Sequence, residues 1–279
     1  MRQFWTFISI VIGLFGCSEP NVNKDNIIVL GHAGAGFPSI NNHYPINSME
    51  SIQQALFVQG ADGVEVDIQL TADAQFVLYH DNRLESGAND TGYISNKTWS
   101  ELKLLSRRDS KTALHPAIGF SRLEDLLLFV DDLNLDIVLS LNLQNQYEIE
   151  DQDAYNLQIV KVLEEQFASF GGLRKVIVET RDHDCIVALK DLPNTWDINL
   201  YFIGELSEAN LNRTGPFVTG FVTNYLDETK ESVQRAKLLG YHIALYGVKI
   251  RQDISPAISL EPDYIQTDNV PLTLSTLGR

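Results

Sequence analysis

Gly63-Val64-Glu65-Val66-Asp67-Ile68-Gln69-Leu70 is a run in which apolar and acidic or polar side chains alternate with a period of two. On an extended strand that period sends Val64, Val66 and Ile68 to one face, and Glu65 and Asp67 to the other. The two carboxylates then have two readings. Facing water, they are the polar side of a half-buried strand. Facing inward in a closed sheet, they are costly unless they bind a cation or a proton.

The flanking segments bear on the choice. Upstream, Ile27-Ile28-Val29-Leu30 is apolar throughout, as expected of a strand covered on both faces, and it ends in Gly31-His32-Ala33-Gly34. Downstream, Phe76 to Tyr79 ends in His80-Asp81. Further strands are predicted over 136–143, 175–180, 199–203, 220–223, 242–247 and 264–267, alternating with helices over 48–59, 121–133, 151–170, 182–192, 226–239 and 271–277. Strand and helix in alternation predict an α/β fold, a (β/α)8 TIM barrel over residues 27–279. The strands number nine where eight close a barrel, so one is peripheral. The polar, Gly- and Asn-rich segment 82–119 is a small insertion after the third strand, near the mouth. Chemistry in such barrels gathers at the C-terminal ends of the strands. Three consecutive strands bring His32, then Glu65 with Asp67, then His80 to that rim, which favours the inward reading. His32 by itself is equally well a satisfied buried histidine. His43, His115, His183 and His242 have no comparable setting and are expected to be structural or at the surface.

Composition sets outer limits. At 279 residues, 44% hydrophobic and 21% charged, the chain can bury a large core in one domain. The net charge of −16 disfavours nucleic acid as a partner, and a monomer is expected. Residues 1–16 are expected to be removed: Arg2, an apolar run from Phe4 to Phe15, then Leu14-Phe15-Gly16-Cys17 resemble a bacterial lipoprotein signal, with Cys17 acylated as the new N-terminus. Residues 17–26 are a polar tether, about 30 Å at full stretch. The membrane is thus a partner through the N-terminal lipid anchor, and the expected location is the bacterial cell envelope, on its periplasmic or extracellular face.

Two imidazoles and two hard oxygen ligands suit phosphoryl chemistry: Mg²⁺ or Ca²⁺ on the phosphate, with the histidines as acid and base. Here Gly31-His32, Pro45-x-Asn47-Ser48, Gly60-Ala61-Asp62-x-Val64-Glu65-x-Asp67-x-x-Leu70-Thr71 and His80-Asp81 resemble the glycerophosphodiester phosphodiesterase family. Gly92-x-Ile94, Thr98-x-x-Glu101-Leu102, Pro116 with Leu123-Glu124-Asp125-Leu126-Leu127, and Pro262-Asp263-x-Ile265-x-Thr267-Asp268 extend the match to the C-terminus. The resemblance implies His32 and His80 as the catalytic pair, and Glu65 and Asp67 as ligands of a divalent cation. The substrate it implies is a small-molecule phosphodiester released from glycerophospholipids.

The chain departs from the family at four positions. Ala33 stands where the family has arginine, and Ile46 where it has glutamate. The family's Glu-x-Lys corresponds to Asn142-Leu143-Gln144, so Asn142 is left as a neutral third metal ligand and Gln144 as a neutral donor to substrate. Arg181, Lys249 and Arg251, near later strand ends, are candidates to restore positive charge on the diester. Each lost charged donor is worth roughly 10²-fold in rate if it acts as an oxyanion-hole donor does. A competing hypothesis from a different class is a non-catalytic lipoprotein that binds a phosphorylated or polyol ligand. A third is a phospholipase D-like lyase acting on lipid, against which the acidic surface argues.

Overall fold

The computed structural model describes residues 26–37, 39, 42–107, 118–134, 136–170, 175–190 and 198–279. The signal, Cys17 and nearly all of the tether lie outside these residues, as do His115 and Pro116. Among the described residues no helix is long and apolar enough to cross a membrane.

In chain order the elements are β1 (Ile28–Gly31), α1 (Met49–Gln53), β2 (Gly63–Leu70), β3 (Phe76–Leu78), α2 (Trp99–Leu102), α3 (Leu123–Asp132), β4 (Val138–Leu143), α4 (Gln152–Ala168), β5 (Lys175–Thr180), α5 (His183–Leu189), β6 (Ile198–Ile203), α6 (Glu208–Arg213), β7 (Gly220–Asn224), α7 (Lys230–Leu238), β8 (His242–Val248), α8 (Arg251–Ser259), β9 (Tyr264–Thr267) and α9 (Val270–Leu277). Eight of the nine strands are parallel neighbours in the order β1-β2-β4-β5-β6-β7-β8-β9, and β9 pairs with β1 to close the ring. The (β/α)8 barrel is therefore as predicted.

The peripheral strand is β3, and this corrects the expectation that His80 ends a barrel strand. β3 runs antiparallel to β2, with Ile68 opposite Leu78 and Leu70 opposite Phe76. The linker 71–75 allows nothing else, since a parallel crossover needs about a dozen residues or more. β2 overshoots the rim and the hairpin folds back over it. The return carries Tyr79 N–H to the Asp67 carbonyl at 3.0 Å, so His80 reaches the site from a hairpin leg.

The insertion after β3 has a small core of its own, in which Val77, Tyr79, Leu84, Ala88, Ile94, Leu102 and Phe120 are buried together. Inside the barrel, Leu30, Val138, Ile177, Tyr201, Val222, Ala244 and Tyr264 fill the lower layers and form an apolar floor. The larger core lies between strands and helices, where Val64, Val66 and Ile68 face outward. Gly63 makes the β2 contact possible: a Cβ there would lie 2.0 Å from the Val138 carbonyl oxygen. Among the described residues three helices were not anticipated. α2 is a four-residue turn within the insertion, α6 is a short, largely polar element, and α8 carries Pro256 in its interior, which reads as a helix breaker. The helix predicted from residue 48 begins at Met49, capped by Ser48, and continues as a wider π-helical turn over Gln54–Val58.

Candidate active site

A cavity of about 210 Å³ opens at the C-terminal mouth of the barrel. Its lining includes His32, Glu65, Asp67, His80 and Asn142 together with Arg181 and Lys249, so seven of the nine predicted catalytic, metal and substrate residues meet there. Arg251, at the start of α8, is not in that lining, and neither is Gln144. Its Nε2 donates to Asp67 Oδ1 at 2.6 Å, so it holds a carboxylate in place and does not line this cavity.

β1 ends in a tight turn that fixes His32. Gly36 has φ of +85°, and a Cβ there would meet the Asp268 backbone at 2.5 Å, so glycine alone permits the approach. The approach lets Asp268 Oδ1 stand 2.7 Å from His32 Nδ1. His32 Nε2 points the other way, 4.0 Å from Glu65 Oε2. Burial pushes the His32 imidazolium down, but the hydrogen bond to Asp268 and the charges of Glu65, Asp268 and Asp67 outweigh it, and its pKa is held at about 9. His80 is half-exposed, and its Nδ1 bonds Asp81 Oδ1 at 2.8 Å, which raises its pKa and lowers that of Asp81.

The carboxylate pair is set differently at its two members. Glu65 Oε2 accepts from Ala33 N–H at 2.9 Å, while Glu65 Oε1 is buried without a hydrogen-bond partner among the described residues. Burial, then the charge of Asp67, pushes the Glu65 carboxyl well above the usual range. Asp67 is held by side-chain amides: Oδ2 accepts from Asn47 at 2.7 Å, and Oδ1 from Asn142 at 3.1 Å and Gln144 at 2.6 Å. Asn47 also accepts from Asp67 N–H at 2.9 Å, and its φ of +57° is one that asparagine tolerates.

A hard cation fits the Glu65 end of this set, because it would satisfy the orphaned Oε1. Among the described residues no group of three or more His, Cys, Asp or Glu side chains is arranged to hold a metal. A cation here would therefore draw its remaining ligands from Asn142, substrate and water.

Glu179 was missed in the sequence. It stands beside Asn142 in strand register, as Asn142 does beside Asp67. Its carboxylate accepts from Ser140 Oγ at 3.0 Å and from Gln266 Nε2 at 3.0 and 3.1 Å, a strut from β5 to β9 that forms the polar floor of the cavity. Burial raises its pKa to about 7. The signal was present: an acid near the end of Lys175-Val-Ile-Val-Glu-Thr180, an otherwise apolar buried strand.

Residues 40–272 match the model of the glycerophosphoryl diester phosphodiesterase family, a span that begins after His32 and takes in the other predicted cavity residues. A glycerophosphodiester phosphodiesterase of Caldanaerobacter subterraneus is 24% identical over 90% of this chain and 98% of its own length. An uncharacterized protein of Bacillus subtilis is 26% identical over 57% of this chain, which spans only 59% of that relative's length. Among solved structures, a phosphodiesterase of Oleispira antarctica in complex with the product sn-glycerol-3-phosphate superposes with a TM-score of 0.77 at 18% identity, covering 90% of this chain and 97% of the other. At that identity the likeness establishes the fold.

Proposed function

The chain belongs to the glycerophosphoryl diester phosphodiesterase family, and from that premise we propose that it hydrolyses glycerophosphodiesters at the barrel mouth, with His32 and His80 as the proton-transfer pair. One observation carries the reading: both imidazoles line one cavity with Glu65 and Asp67, and each has its Nδ1 occupied by a carboxylate, which leaves Nε2 for substrate.

The two histidines have unequal tasks. His32, which holds its proton to about pH 9, protonates the leaving alkoxide as the P–O bond breaks. His80, exposed and oriented by Asp81, takes the proton from the attacking oxygen, whether of water or of the glycerol's neighbouring hydroxyl. Arg181 and Lys249 hold the anionic diester from the opposite wall, and Gln144 orients Asp67. Glu65, Asp67 and Asn142 would hold a divalent cation (Mg²⁺ or Ca²⁺), which would supply Lewis-acid chemistry to the diester. The site thereby serves glycerophospholipid catabolism.

The test is hydrolysis of a chromogenic phosphodiester and of glycerophosphodiesters with added Mg²⁺ or Ca²⁺. His80→Ala lowers the rate by about 10²-fold or more. Full activity in that variant sinks the mechanism. A second reading, ligand capture without turnover, draws support from Ala33, Ile46, Asn142 and Gln144 in place of charged residues. It predicts thermal stabilisation by glycerophosphodiesters with no product formed.

The barrel is tethered at the bacterial cell envelope through acylated Cys17, on the periplasmic or extracellular face. The Arg2 start, the short apolar run and Leu14-Phe15-Gly16-Cys17 support this placement. Cys17→Ser moves the protein from the membrane to the soluble fraction of the expressing cell.

A further inference from the structure

The cavity has two unlike halves. On and just beyond β1, β2 and β4 it carries His32, Glu65, Asp67 and Asn142. On and just beyond β5 to β8 it carries the cations Arg181 and Lys249, with Ile203, Val222 and Tyr246 on the strands between. Among the described lining residues the only carboxylate of the second half is Glu179, and both its oxygens are already engaged, by Gln266 and Ser140. The face of the Tyr246 ring is not free either: the Arg181 guanidinium lies 5.9 Å from its centroid and donates to the phenol oxygen at 3.5 Å. Phe37, the remaining aromatic of the lining, is exposed and belongs to the first half, beside the His32 ring with centroids 5.7 Å apart.

A diester whose phosphate sits between the histidines and the opposite wall must direct one of its two alcohols into this second half. A quaternary ammonium there would meet two cations, no free carboxylate and an aromatic ring already paired with a guanidinium, and so finds few of the contacts by which such a group is recognised. Hydroxyls or a further negative charge would meet the guanidinium, the ammonium and the Asn224 amide. We propose that the second half of the cavity is a headgroup subsite that accepts hydroxylated or anionic alcohols, such as glycerol or another polyol, and discriminates against choline. The inference rests on the phosphodiesterase reading for turnover, but concerns recognition.

The discriminating pair is glycerophosphocholine and its 3,3-dimethylbutyl isostere, which has the same shape without the charge; glycerophosphoglycerol is the hydroxylated probe. Calorimetric titration of the full chain gives the affinities, and phosphorus NMR of the same samples reports hydrolysis. The isostere and glycerophosphoglycerol bind about fivefold or more tightly than the choline diester. Arg181→Gln with Lys249→Gln brings the isostere-to-choline ratio towards one; both side chains are exposed, so the fold is retained. The proposal is overturned by equal or tighter choline binding, by a ratio that the double variant leaves unchanged, or by failure of all three diesters to bind. Selective binding without product overturns the enzymatic reading and leaves the subsite standing.

Discussion

His32 Nδ1 and Asp268 Oδ1 lie 2.7 Å apart although 236 residues separate them in the chain. The bond joins the loop after the first strand to the loop after the last, across the seam where β9 pairs with β1. It fixes which imidazole nitrogen faces the cavity and sustains the His32 charge against burial. Asp268 is therefore a positioning residue for the proposed acid.

Asp268→Asn keeps the shape of this contact and removes its charge. Turnover of a glycerophosphodiester falls by about 10²-fold or more. A step that needs protonated His32 is lost as pH rises through about 9 in the native protein. In the variant that alkaline limb moves to lower pH, because two of the causes that raise the pKa, the charge-assisted bond and the Asp268 charge, are weakened. A pH–rate profile measures both effects, and a drop in rate with an unmoved limb refutes the orienting role.

Glu65→Gln tests the orphaned oxygen. The bond from Ala33 N–H can persist to an amide oxygen, so the fold is kept, while the anionic atom at the cavity is lost. Mg²⁺ or Ca²⁺ affinity, read by calorimetry without substrate, falls about tenfold or more. Unchanged affinity removes Glu65 from the ligand set.

Glu179→Gln changes how stability depends on pH. The Glu179 carboxyl titrates at about 7 in the fold against an ordinary value of 4.5. The folded state thus binds more protons than the unfolded state across that interval, and this group lowers stability as pH rises from about 4.5 to 7. The amide does not titrate, so the variant gains on the native protein over the same window. Melting temperatures at pH 5 and pH 8 should differ less in the variant, and an identical pH slope in the two proteins contradicts the assignment.

Gly63→Ala is expected to be severe, because the added methyl meets the backbone of a neighbouring barrel strand and no flexible side chain can yield. The cost is about 3 kcal/mol or more, read as a lower denaturation midpoint. Gly92→Ala is a useful contrast: no atom of the described residues lies within 4 Å of its Cβ position, and its φ of +99° isolates the backbone contribution.

Much of the architecture follows from local pattern. Period-two alternation in Gly63–Leu70 set the faces of β2, unbroken apolar runs marked strands covered on both sides, and the glycine-histidine and histidine-aspartate endings marked where chemistry gathers. His32, Glu65, Asp67 and His80 were legible because three short segments display them, Glu65 and Asp67 sharing one. Some missed features were also local: the linker 71–75 is too short for a crossover, and Glu179 is an acid in an apolar strand.

The bonds that give these residues their properties were not legible. Asp268 meets His32 only because the ring closes, Gln266 reaches Glu179 only across the barrel interior, and Asn47 converges on Asp67 with Asn142 and Gln144 from a distant segment. Backbone periodicity is a property of neighbours in the chain, and it determines which way a side chain faces. What it faces depends on strand order and closure, and through them on burial and charge, so the sequence determined the inventory of the site and tertiary structure decided its protonation and its polarity.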